Sequence, residues 1–271
     1  MNEPRPELPQ RLLSLDTLRG FDMLFIMGFA TLVVNVCRLI GGGAAAAVAA
    51  QMQHPAWHGF THHDTIFPLF LFIAGISYPF SLAKQRAAGA GRGDLHRKIL
   101  RRCLLLVLFG LICNGLFRLQ WPMRTASVLG RIGVAWAAAA VLYLHFGTRT
   151  RIGIVGAILA GYWALLALIP APDAPAGTDV HSMEGTLAGY VDRLLLPGRL
   201  YNKIFDPEGL LSTLPAVATA MLGMLAGEFV RQPAERLSGN RKALWMALAA
   251  VAFTLAGMVW DMGFPINKKL W

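Results

Sequence analysis

The stretch HPAWHGFTHHDTIFPLFLFIAG, residues 54–75, decides how this chain is read. Four histidines (His54, His58, His62 and His63) and Asp64 crowd the threshold of a run that is otherwise apolar. Ionisable groups at a membrane boundary are costly unless they are paired, solvated or used. Asp64 falls just inside the apolar segment, so it calls for a histidine or arginine partner. Pro68 frees a backbone carbonyl one turn back, which is tolerated where a helix lines a cavity. His54, His58 and His62 are spaced by four and would form a stripe on a continuous helix, but Pro55 and Gly59 interrupt any helix there. Without carboxylates or cysteines at ligand spacing, no metal is expected.

Working outward, the rest of the chain is equally apolar. Of its 271 residues 55% are hydrophobic and 15% charged, with a mean hydropathy of +0.50. Runs near 20 residues are long enough to cross a bilayer. Seven spans are predicted, at about 17–39, 62–83, 98–118, 127–146, 152–170, 209–230 and 243–261. The expected fold class is therefore all-α: a polytopic transmembrane helix bundle forming a single domain, residues 1–271, with one long extracytoplasmic loop at 171–208. The Gly-Ala run 41–50 is too short to span and reads as a small interfacial helix or turn.

The net charge of +10 does not point to nucleic acid. Its cations sit in short segments between apolar runs and no aromatic-basic platform accompanies them. The segments 84–98, 149–151 and 231–242 are basic and form alternate connections, so the positive-inside rule makes them, and the N-terminus with Arg5 and Arg11, cytoplasmic. The other side then holds the His54 segment, residues 120–127, the loop 171–208 and GFPINKKLW. Cys37, Cys103 and Cys113 lie in apolar runs and form no disulfide framework. With no cleavable leader pattern and no glycosylation sequon, the expected location is a bacterial inner membrane.

Loop 171–208 begins as a Pro- and Ala-rich linker and then becomes patterned. In LAGYVDRLLL (187–196) the apolar residues recur at helical spacing, which predicts a short interfacial helix. Loops this long are usually functional or disordered, and the patterned half reads as functional. Elsewhere, Asp16 and Arg19 are three apart and share a helix face. Arg124 and Arg131 are seven apart, two turns on one side of a helix. Stacked arginines suit a polar cleft that accepts an anion, or else structural ion pairs with Asp64 or Asp16.

Six segments, SLDTLRGFDM (14–23), residues 54–75, MRTASVLGRIGVAW (123–136), AGYVDRLLLPGRLY (188–201), DPEGLLSTLPAVATAMLGMLAGE (206–228) and PINKKLW (265–271), occur in order. They resemble the motifs of the heparan-α-glucosaminide N-acetyltransferase family over about residues 11–271. The resemblance implies an acetyl transfer from acetyl-CoA to the amine of a glucosamine-type sugar. The family pattern falls on His54, Trp57, Gly59, Thr61, Asp64, Phe67 and Pro68, so it implies that His54 is catalytic with Asp64 beside it. His58, His62 and His63 occupy positions the pattern leaves free.

The candidate substrate- or cofactor-binding residues are Asp16, Arg19, Trp57, Thr61, Arg124, Arg131, Asp206 and Glu208, with Arg19, Arg124 and Arg131 as the cations for CoA phosphates. The family also carries a catalytic-site asparagine near the end of helix one; Asn35 is the nearest here, several residues past that register. Ser127-Val128-Leu129-Gly130-Arg131 replaces the usual Gly-Val-Leu-Gln-Arg but keeps its arginine. Family members continue past the Asn-Lys-x-Leu-Trp motif into further helices, so the expectation is a shortened chain. A neutral imidazole suits proton abstraction from an amine or a covalent acetyl intermediate. The implied partners are acetyl-CoA, an amino-sugar or glycan acceptor and the lipid bilayer, and the chain is open to homo-oligomerisation. A sugar or peptide transporter is the alternative reading, though it would show paired internal repeats. A haem protein would place histidine pairs deep in facing helices.

Overall fold

A computed structural model of the chain describes residues 13–118 and 121–270. The N-terminal Arg5 and Arg11, and Trp271, lie outside the described residues. No strand occurs among the described residues. The helices are α1 (Leu13–Leu24), α2 (Ala30–Ile40), α3 (Gly42–Gln51), α4 (His62–Ala87), α5 (Arg92–Cys113), α6 (Val128–His145), α7 (Thr148–Leu168), α8 (Leu187–Leu195), α9 (Thr213–Val230) and α10 (Gly239–Asp261).

Among the described residues six stretches are long and apolar enough to cross a membrane: α1 with α2 together, α4, α6, α7, α9 and α10. The predicted seventh, 98–118, falls short on composition. It lies in α5, where Lys98, Arg101 and Arg102 stand among the first five predicted residues. α5 nevertheless runs beside α6 along its length. Its His96 meets His145 at one end of the pair, and its Gly110 lies against Ser127 at the other. At 22 residues it covers about 33 Å, the thickness of a hydrocarbon core.

The first span is not one helix. α1 and α2 join through a widened turn, Phe25–Phe29, in which Gly28 has φ 113°. Only glycine adopts that conformation without a steric penalty. The short helix anticipated at 41–50 is present as α3.

Glycines set the bundle's closest approach. A Cβ on Gly223 of α9 would lie 2.2 Å from the Phe72 carbonyl oxygen of α4, and one on Gly227 would lie 2.3 Å from that of Ile76. The four-residue spacing lets the two backbones touch, as small residues do where helices pack in lipid. Leu71, Tyr78, Trp136, Tyr143, Met221 and Met224 are buried around that seam. No residue of α10 is buried.

Ring and hydrogen-bond contacts show which loops share an end. At one end Trp57 meets His181, Gly59 meets Ile266, and Arg124 meets Asp206. At the other, Arg151 pairs with Glu228 and Arg231 reaches the Pro79 carbonyl. The loop 171–208 contains the anticipated short helix, α8, and caps the first end. Its Ala188 and Phe205 join Tyr162 and Leu166 of α7 in a small core, completed by Phe264 and Leu270 from the segment after α10.

Candidate active site

The site begins with the way α4 starts. Thr61 is its N-cap, and Asp64, three residues on, returns Oδ2 to accept the Thr61 backbone N–H at 2.9 Å. This is a capping box with aspartate in the acidic position. Only one carboxylate oxygen is needed for it. The other, Oδ1, lies 2.6 Å from Nδ1 of His54. Asp64 is 1% exposed, whereas the His54 side chain is 41% exposed. The carboxylate can only accept, so Nδ1 carries the proton and Nε2 presents its lone pair.

The loop that carries His54 is pinned from several sides. Thr61 Oγ1 donates to the Gln53 carbonyl at 2.8 Å, and the Gly59 N–H donates to the Ile266 carbonyl at 2.9 Å. Gly59 sits at φ 115°, where a side chain would be strained. Trp57 donates Nε1–H to the His181 carbonyl at 2.7 Å, with its ring edge-on to Phe205 at 5.2 Å. Lys269 Nζ donates to the carbonyls of Pro55, at 3.0 Å, and Ala56.

The segment PINKKL (265–270) thus closes the site, a role that spacing alone did not reveal. Lys268 Nζ lies 3.4 Å from His54 Nε2. Asn267 is 2% exposed, while Asn35 is exposed on α2. The sequence did contain a signal for these residues, the motif itself, but nothing within it indicated which loop it would meet.

Burial and the Lys268 ammonium hold the His54 imidazole below the ordinary histidine pKa of 6.5, and Asp64 only partly opposes them. His54 is therefore neutral at pH 7. His63 packs against it with ring centres 4.5 Å apart, while His62 packs on Phe25 at 4.9 Å. Asp64 and Lys268, which flank His54, line a cavity of about 280 Å³ together with Phe60, Phe67, Arg131 and Asn267 among others.

The two arginines of the 123–136 motif have different surroundings. Arg131 on α6 is buried at the cavity, over the Phe67 ring. Its Nη1 and Nη2 donate to the carbonyls of Pro207 at 2.5 Å and Ser212 at 2.6 Å. Arg124 forms a two-pronged pair with Asp206, at 2.8 and 2.5 Å, and also reaches Glu208. Its ion-pair partners are thus Asp206 and Glu208 rather than Asp16 or Asp64. Asp206 is fully buried and also accepts the N–H groups of Tyr201 and Glu208, both at 3.0 Å.

Asp16 and Arg19 lie apart from this group. They pair at 2.9 Å on α1, and Arg19 donates to Ser77 Oγ on α4. Ser77 is 13 residues along α4 from Asp64, about 20 Å. Beside Ser77 a second cavity of about 200 Å³ is lined by Ser81, Gln85, Lys98 and Arg102 among others.

The sequence model of the family described as "Heparan-alpha-glucosaminide N-acetyltransferase, catalytic" matches residues 11–257. The chain is 30% identical to the human protein named heparan-alpha-glucosaminide N-acetyltransferase, over 97% of this chain and 46% of that protein. It is 29% identical to the mouse protein of the same name, over 99% of this chain and 47% of that protein. The chain spans about half the length of these curated relatives.

Proposed function

We propose, since this chain belongs to the heparan-alpha-glucosaminide N-acetyltransferase catalytic family, that it transfers an acetyl group from acetyl-CoA to the amine of a glucosamine-type sugar. One observation carries the assignment of the chemistry. His54 Nδ1–H is tied to buried Asp64 at 2.6 Å, which leaves a neutral Nε2 lone pair facing Lys268, and Asp64 and Lys268 both line a cavity of about 280 Å³.

Two routes use that lone pair. In the direct route the amine nitrogen attacks the thioester carbonyl, Nε2 takes the amine proton, and the carbon–sulfur bond breaks to release the CoA thiolate. In the stepwise route Nε2 itself attacks and the thiolate leaves; the amine then attacks the acetyl-imidazole, the Nε2–carbon bond breaks, and the freed Nε2 takes the amine proton. In both, Asp64 fixes the tautomer and stabilises any positive charge on the ring, as a carboxylate does beside a catalytic histidine. Trp57 and Thr61 hold the loop in place. Arg131 lies deeper along the same cavity, where the acyl group would rest.

In this reading the donor binds from the opposite side of the membrane to His54. The basic connections at 84–98, 149–151 and 231–242 share the far end of the bundle, which the positive-inside rule makes cytoplasmic. The chain is then a multi-pass inner-membrane protein with its N-terminus inside. The Ser77 cavity, with Arg19, Lys98 and Arg102 around it, offers cations for the CoA phosphates. Its separation from Asp64 suits an extended pantetheine arm.

The test uses the purified chain in detergent with acetyl-CoA, with and without glucosamine. Thiol release that depends on the amino sugar, accompanied by N-acetylglucosamine, is the expected result. A folded His54→Ala protein that turns over near the wild-type rate would remove His54 from the reaction.

A further inference from the structure

The ammonium of Lys268 faces the reacting nitrogen. Its Nζ is 3.4 Å from His54 Nε2 and lines the cavity with Asp64, Asn267 and Arg131. Among the described residues it meets no carboxylate at ion-pair distance, so its charge is not neutralised by a direct partner. The neighbouring Lys269 is different. Its Nζ is occupied by the carbonyls of Pro55 and Ala56 and lies 5.8 Å from the Trp57 ring centre, which makes it a strut for the His54 loop. Two adjacent lysines therefore differ in role, and only one points its charge at the chemistry.

We propose that Lys268 is a catalytic residue, the cation that keeps His54 Nε2 free of a proton in the resting site and then donates a hydrogen bond to the oxyanion of the thioester carbonyl. The proposal rests on the reading of His54 as base or acetyl carrier. An ammonium has three N–H groups and no lone pair, so beside Nε2 it favours the unprotonated ring. Whichever nucleophile attacks, the carbonyl π electrons move onto oxygen, and a fixed cation next to the attacked carbon stabilises that charge. When the tetrahedral intermediate collapses, the electrons return and the thiolate leaves; the ammonium keeps its proton throughout. Lys268 thus serves the direct and the stepwise route alike.

The charged groups facing the pair are few. Asp64 and His63 from α4, and Lys268 and Lys269 from the closing segment, act on His54. Asp64, Glu208, Arg131 and Lys269 act on Lys268, and its burial holds the amine below the usual lysine value of 10.5. Asp64 supports the charge on both groups, so Lys268 is the group whose removal most directly frees the imidazole to take a second proton.

The test is an NMR titration of the imidazoles in detergent-solubilised protein labelled at histidine, with His54 assigned by its loss in His54→Gln. Wild type, Lys268→Met and Lys268→Arg are compared, with thermal melts confirming that each is folded. The His54 midpoint is expected to rise by about 0.5 unit or more in Lys268→Met and to stay near wild type in Lys268→Arg. Turnover of acetyl-CoA with glucosamine should fall about 10²–10³-fold in Lys268→Met, with KM for acetyl-CoA little changed, and should partly recover in Lys268→Arg. A His54 midpoint that is the same in Lys268→Met and wild type overturns the proposal. If the wild-type chain releases no CoA, the acetyltransferase reading fails separately, and the titration still decides whether Lys268 controls His54.

Discussion

His54 and Asp64 are joined at 2.6 Å through Nδ1 and Oδ1, and the same carboxylate caps α4 through its other oxygen. One side chain therefore both starts a helix and orients the His54 ring. Asp64→Asn should keep much of the cap yet present an amide to Nδ1 and release the tautomer. Turnover is expected to fall by about 10²–10⁴-fold, the range seen when a carboxylate behind a catalytic histidine becomes an amide. The melting temperature should shift only a little, because a lost cap costs about 1 kcal/mol. Steady-state rates and thermal melts on the same preparation check both halves.

The pH dependence follows from the direction of the His54 shift. Its pKa in the folded protein lies below the ordinary 6.5. The folded state thus disfavours the protonated ring, and the stability this group contributes is present above 6.5 and lost as pH falls toward the folded value. Activity should rise with pH along one ionisation centred below 6.5 and be complete by neutrality. A limb centred at or above 6.5 in kcat/KM would show that the imidazole is not held neutral.

Asp192 on α8 titrates in the opposite sense. It is 1% exposed, accepts the Leu210 N–H at 2.9 Å, and burial pushes its pKa up to about 7. A carboxyl raised in this way favours folding below its unfolded value of 3.8, and that advantage fades as pH rises through about 7. Asp192→Asn should therefore stabilise the protein at pH 8.5 relative to wild type, on the order of 1 kcal/mol or more, and do less at pH 5.5. Melts at the two pH values would decide it, an equal effect at both being the contrary result.

Arg124 lies across from a fully buried Asp206. Removing the guanidinium leaves that carboxylate unpaired, a loss of about 3–5 kcal/mol for buried pairs. Arg124→Met should be strongly destabilised, and adding Asp206→Asn should recover a good part of the loss. A double-mutant cycle on melting temperature measures the coupling, and additive losses would show the pair to be weak.

Gly223 allows α4 and α9 to touch, since a Cβ there would stand 2.2 Å from the Phe72 carbonyl oxygen. Gly223→Val should cost at least about 1–3 kcal/mol, the range for overpacking. Gly156→Ala on α7, where nothing lies within 4 Å of the added carbon, serves as the control and should be nearly neutral. Detergent melts of both proteins report the contrast.

The orientation is open to labelling. In a chain stripped of Cys37, Cys103 and Cys113, a single cysteine at residue 90 should resist an impermeant thiol reagent applied to intact cells. One at residue 177, in the capping loop, should react. Labelling of residue 90 from outside would reverse the assigned sidedness.

The sequence by itself determined the all-α bundle, most of its spans and the short helix in the capping loop, and it marked Asp64 as needing a histidine or arginine partner, the choice of His54 coming from the family resemblance. Each of these is written locally. Spans are runs of apolar residues, α8 is a repeat at helical spacing, and the start of α4 is a threonine followed three residues later by an acid. The break at Gly28 was not legible, because nothing in the surrounding apolar run marks a turn. The run 98–118 reads as a span although Lys98, Arg101 and Arg102 open it, and only the packing of α5 along α6 shows that it reaches the same depth.

The tertiary structure alone decided which distant groups share the site. Lys268 comes 214 residues after His54, and Arg124 finds Asp206 and Glu208 rather than an acid on α1 or α4. Hydropathy and spacing record how each helix faces its immediate surroundings. They do not record which loops the bundle gathers at one end, because that depends on how glycine seams let α4 close on α9 and α5 close on α6, and on the capping loop and the segment after α10 folding over them.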